Sequence, residues 1–160
     1  MKHGWVKWSI VGVIVFLIVI QFVQPSRTNP PVIASRSLEA HVSVPIQVQT
    51  VLQRSCYNCH SSATIWPWYS HVAPVSWLVV SDVNTGRGHI NFQDWEAQVS
   101  PQEGQEHLGL ICKLIRERTM PPAEYRLMHK DSYIAPDEEN AVCAWSQQFA
   151  EKGDSDKKGE

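Results

Sequence analysis

Cys56, Cys59 and His60 stand in the order C-x-x-C-H. Two thiols separated by two residues can add to the two vinyl groups of one porphyrin, and the adjacent imidazole is then delivered under the iron. The spacing predicts one covalent haem c, with thioether bonds from Cys56 and Cys59 and His60 as proximal iron ligand. Two other chemistries use the same letters. A thioredoxin-like redox pair needs a β-strand and a βαβ context, whereas the residues before Cys56 read as helical. A structural zinc site would recruit Cys112 and Cys143, but neither belongs to a second C-x-x-C pair.

A haem iron in an electron carrier takes a second axial ligand, and Met120 is the best placed by sequence. It precedes Pro121 and Pro122, which hold the backbone extended and remove two amide donors, so this loop can lie against a flat cofactor. His71 is the competitor and would give bis-histidine ligation with a lower potential. Met128, His129, His89 and His107 are weaker candidates, and ordinary core packing is the plain reading of Met120. Trp66, Trp68, Tyr69 and Trp77 are expected to wall the haem, with core packing or contact with a membrane interface as the alternatives. Cys112 and Cys143 fall on the inward faces of two expected helices. A disulfide between them would stabilise a small domain by roughly 3 to 4 kcal/mol, and two buried reduced thiols are the alternative.

These residues must be positioned by helices. From Trp8 to Val23 the chain is almost wholly apolar, preceded by Lys2 and Lys7 and followed by no small-x-small cleavage site, so residues 1–23 read as an uncleaved transmembrane anchor, membrane-embedded over 5–23. The lysines keep the N-terminus cytoplasmic and send the remainder out of the cytoplasm, to the periplasm in a bacterial cell. Residues 24–42, with Pro25, Pro30 and Pro31, read as a flexible tether. The haem-binding domain is expected over 43–152. Its helices are predicted from a Ser43 cap to about Arg54, from Pro74 to an exit marked by Gly86 and Gly88, from about Gln102 to Arg118, and from Pro136 to about Lys152. Residues 153–160 read as a disordered tail. No alternating strand pattern occurs, so the class is all-α: one transmembrane helix followed by a small helical domain.

With 160 residues the chain has room for one small domain and no second catalytic one. A formal charge of -2 and the lack of a basic cluster argue against nucleic acid as a partner. Setting aside Lys2 and Lys7 leaves 12 basic against 16 acidic residues, so the exported part is mildly acidic and suits a basic docking surface on a redox partner.

Cys56 to His60, the run WPWYSHVAPVSW from Trp66 to Trp77, Asn91–Phe92 and Met120–Pro121–Pro122 together resemble the bacterial haem-binding-domain family, over roughly Pro45 to Phe149. The resemblance implies a cytochrome-c-like domain in small membrane-anchored or exported proteins, and its Met-Pro element matches Met120. One departure is Ala135, which stands where cytochrome c final helices carry a Ser or Thr cap, so that helix start is expected to fray. The function expected is electron carriage between redox protein partners, such as a membrane respiratory or peroxidase system, and not enzymatic turnover. The alternatives are a haem-based sensor or peroxidase-type protein with an open distal site near His71 or Arg87, and a haem-bearing subunit of a larger membrane complex.

Overall fold

In the computed structural model, which describes residues 2–95 and 101–157, all regular structure is helical and no strand forms among the described residues. Helix α1 (Lys2–Val19) runs into a 3-10 turn at Ile20–Phe22. Its segment Gly4–Phe22 has a mean hydropathy of 2.1 over 19 residues, long and apolar enough to cross a membrane.

Residues 24–42 are a strap, where a flexible tether was expected. The prolines do suppress long helices, but the polar side chains between them find backbone partners far along the chain. Arg27 donates to the Ser70 carbonyl at 3.1 Å and Asn29 to the Thr64 carbonyl at 2.9 Å. The strap ends in a helical turn, α2 (Leu38–His41), whose Leu38 is 0% exposed and donates its N–H to the Phe92 carbonyl at 2.7 Å. Composition cannot reveal such partners, because they lie 35 to 54 residues away.

The core joins α3 (Ile46–Ser55), α6 (Pro101–Arg116) and α8 (Pro136–Lys157). Val48, Val51 and Leu52 of α3 meet Leu108 and Ile115 of α6 and Val142 and Trp145 of α8, with Ile90, Phe92 and Ile134 between them. Pro45 is the N-cap of α3; Ser43, the expected cap, accepts instead a bond from the Trp145 indole on its carbonyl at 3.1 Å. Helices α6 and α8 lie very close. A Cβ on Gly109 would stand 3.0 Å from the Ala150 Cα, Ser146 donates to the Leu108 carbonyl at 2.6 Å, and Cys112 and Cys143 are joined by a disulfide.

Helix α8 continues to Lys157, past Lys152 and into the segment read from sequence as a disordered tail; residues 158–160 lie outside the described residues. Its start is held despite the missing hydroxyl cap. Glu138, at the third helical position, turns back to accept the Ala135 N–H at 2.9 Å, one half of a capping box, so the expectation of fraying is overturned. Arg54 of α3 clamps the same carboxylate through two bonds of 3.0 and 2.7 Å. The Arg54 bond holds the Glu138 carboxyl below its ordinary range. Its contribution is therefore present above ordinary carboxylate titration and is lost as pH falls through the lower folded value. Glu138→Ala should lower stability by about 1–2 kcal/mol at neutral pH, and by much less in acid, as read by urea unfolding at both pH values.

Candidate cofactor site

Helix α3 ends at Cys56, whose N–H bonds the Leu52 carbonyl at 2.8 Å. The backbone kinks there, at φ -122°, and makes one further turn, α4 (Tyr57–His60). Cys59 and His60 both return their N–H groups to the Cys56 carbonyl, at 3.1 and 2.9 Å, so the whole motif is a single helical turn. Cys56 and Cys59 are free thiols. Burial, first, and the neighbouring thiol push Cys56 up to about 12, and burial pushes Cys59 up to about 11. A thioredoxin-like pair follows a β-strand, whereas Cys56 follows directly on α3.

His60 is fixed from the side. Its Nδ1–H donates to the Ile90 carbonyl at 3.2 Å, while its own carbonyl accepts the Phe92 N–H at 2.9 Å. The proton on Nδ1 leaves Nε2 with a free lone pair, the arrangement a metal-ligating histidine requires. Burial lowers the His60 pKa, although the Ile90 and Gly86 carbonyls oppose it, and so favours the neutral imidazole that coordinates. The segment Ile90–Phe92 follows directly on α5 (Val75–His89). Gly86 and Gly88, expected to mark the exit of that helix, lie within it. Gly86 is needed for contact: a Cβ there would stand 2.7 Å from the Cys59 carbonyl oxygen.

The opposite wall comes from α6. Its end turns through Arg118 at φ 58°, and the Leu114 carbonyl accepts the N–H groups of Thr119 and Met120 at 3.1 and 3.2 Å. Met120 is thereby brought over the motif. Cys56, His60, Met120 and Pro121 line one cavity of about 370 Å³ with Leu52, Phe92, Ile111 and Leu114. A second, of about 210 Å³, adds Cys59 and Pro122 to Cys56, His60 and Met120. A third, of about 330 Å³, lies on the Cys59 side, and among the residues lining it are Trp68, Tyr69, Tyr125 and His129.

The expected aromatic wall divides. Trp68 and Tyr69 line the third cavity, where Tyr69 and His129 share a hydrogen bond of 2.6 Å. Trp66 and Trp77 line none of the three; their indole N–H groups bind the Asn29 side chain at 3.2 Å and the Val23 carbonyl at 2.7 Å. Trp66 thus holds the strap, and Trp77 holds the end of the apolar segment before it. His71 is exposed and also lines none of the three cavities, so the structure does not bring it to His60. Arg87 is 9% exposed and buried behind the motif, donating to Ser61, Thr28, Asn29 and Thr64 at 2.7–2.8 Å.

Several site residues escaped the sequence reading. The Ile90 carbonyl carries no side-chain signal. Asn58, inside the motif, accepts the Ile65 N–H at 3.2 Å and donates to the Tyr125 hydroxyl at 2.7 Å, tying α4 to α7 (Ala123–Met128). Only its place between the two cysteines could have drawn attention to it.

Two thiols and an imidazole on one helical turn, with a thioether lining the same largely apolar cavities, are the donor set a haem requires. Fold and donor set together define a haem-binding protein. The family model of the Haem-binding domain matches residues 15–148, and the chain belongs to that family. No curated protein and no solved structure matches the chain.

Proposed function

We propose that this chain is a membrane-anchored, mono-haem c-type cytochrome that carries electrons at the outer face of the cytoplasmic membrane, without enzymatic turnover. The observation that carries this reading is the joint placement of Cys56, His60 and Met120 around one largely apolar cavity. When bound, haem supplies a one-electron couple between ferrous and ferric iron. The chain does the rest. Cys56 and Cys59 are poised to add their sulfurs to the porphyrin edge, and His60 presents Nε2 because Ile90 holds its other nitrogen. Leu52, Phe92, Ile111 and Leu114 exclude water, and Met120 offers its thioether from the far wall. A methionine opposite a histidine raises the potential relative to two histidines.

Two residues considered for peroxide cleavage, His71 and Arg87, line none of the three cavities, whereas His89 and His107 line the one that Met120 shares with His60, so the carrier reading rests on the methionine. The apolar helix α1 supports anchoring, and Lys2 and Lys7 in its first two turns support a cytoplasmic N-terminus.

Covalent attachment is tested on the exported protein. Haem should survive acid–acetone extraction in the wild type and be extracted from Cys56→Ala/Cys59→Ala. Ligation is tested by Met120→Ala, which should abolish the methionine-to-iron absorption of the ferric protein, lower the midpoint potential and admit carbon monoxide to the ferrous form. An unchanged spectrum would remove Met120 from the ligand set.

A further inference from the structure

From Ser61 to Ser81 the chain carries no Asp, Glu, Lys or Arg, and it contains three tryptophans, Trp66, Trp68 and Trp77. Much of this uncharged run is on the surface: Ile65 is 77% exposed, Trp68 74% and Leu78 53%, with Val72 and Val75 exposed as well. An apolar face of this kind on a soluble domain marks a contact surface. Its position says with what.

The run is bolted to the end of the apolar helix. The Gln21 side chain donates to the Ala73 carbonyl at 3.0 Å and accepts the Ala73 N–H at 2.9 Å, satisfying both backbone groups of that residue. Two residues on, the Val23 carbonyl accepts the Trp77 indole N–H at 2.7 Å. Gln21 belongs to the candidate span Gly4–Phe22. If those residues cross a bilayer, Ala73 sits at the depth of the last turn of the span, where water gives way to headgroups. Tryptophan is enriched at that depth because its ring is apolar and its N–H needs a partner. Phe22 and Val23, both exposed, extend the same face.

We propose that the face formed by Ile65, Trp68, Val72, Val75 and Leu78 lies in the bilayer interface beside the emerging anchor helix. The domain is then held against the membrane in one orientation, with the Cys59-side cavity, lined by Ile65, Trp68, Val75 and Leu78, next to the lipid surface. This inference rests on the anchored reading above. The strap makes it specific, since a flexible tether would leave orientation free, whereas Arg27, Asn29 and Leu38 bind the segment along its length.

The test uses the full chain with its haem, reconstituted in phosphatidylethanolamine–phosphatidylglycerol vesicles. Photo-crosslinking benzoylphenylalanine replaces Leu78 or, in a second variant, Ile65, and Ala144 on the exposed side of α8 in a control. Variants are compared only where their haem absorption equals that of the wild type, and two independent exposed positions guard against a misfolded one. Flotation on a density gradient reads anchoring, and mass spectrometry of the irradiated chain reads the neighbour. Lipid adducts at 78 or 65 and none at 144 are expected. A chain that floats yet gives no lipid adduct at either position, or gives chain-to-chain products instead, overturns the interfacial face and leaves anchoring standing. A chain that does not float overturns both.

Discussion

Cys112→Ala combined with Cys143→Ala is expected to lower the unfolding free energy by about 3–4 kcal/mol, since the bond closes a loop with a sequence separation of 31. Both positions must change, because a single substitution leaves the other cysteine as an unpaired buried thiol. The native arrangement of α6 and α8 should survive. Ser146 still donates to the Leu108 carbonyl and accepts the Cys112 N–H, and Gly109 still admits Ala150. The loss therefore shows in the denatured state, which becomes freer, and not in the folded spectrum. In mild detergent the urea midpoint should fall by more than about 1 M while the haem absorption at low urea is unchanged. A midpoint shift below about 0.3 M would mean that the helix pair is held by packing alone.

The four longer helices of the domain were legible in the sequence because their apolar stripes recur at helical spacing; Val48, Val51 and Leu52 in α3 and Leu108, Ile111 and Ile115 in α6 all face the core or a cavity. The grouping of Cys56, Cys59 and His60 was equally legible, since they fall within five residues and one helical turn is enough to bring them together. What sequence could not show were structures made by backbone groups meeting at long range. The strap looked like a tether because proline content reports on local conformation, while Leu38 pairing with Phe92 and Asn29 with Thr64 depend on tertiary placement. The missing cap at Ala135 misled for a similar reason: its N–H is satisfied by Glu138, three residues further on, whose side chain turns back to it. Among the aromatics, the indole N–H groups of Trp66 and Trp77 found acceptors at Asn29 in the strap and at Val23 just before it. Ring type alone cannot separate a cofactor wall from a clamp.

Gly86 is where the fold and the site depend most directly on one another, and Gly86→Ala is expected to destabilise the protein by about 1–3 kcal/mol. The sign is not obvious, because alanine in a helix interior is favoured over glycine by about 1 kcal/mol. Contact decides it. The added Cβ would lie 2.7 Å from the Cys59 carbonyl oxygen, 3.2 Å from its carbon and 3.3 Å from its Cβ. Those atoms are the backbone and stem of a residue inside the motif, so no side-chain rotation relieves the clash, and α5 must move away from α4. The Gly86 carbonyl holds the Ile90 N–H at 3.0 Å, and the Ile90 carbonyl holds His60 Nδ1 at 3.2 Å. A retreat of α5 therefore loosens His60 as well as the packing. Gly88→Ala is the matched control: it lies in the same helix with nothing within 4 Å of an added Cβ, and it should be neutral or stabilising by up to about 1 kcal/mol. Urea unfolding should separate the two variants by at least about 1 kcal/mol. Paramagnetic resonance of the ferric protein should show a perturbed axial field in Gly86→Ala alone. Equal behaviour of the two variants would show that the approach of α5 to Cys59 is looser than 2.7 Å implies and that His60 is oriented by other contacts.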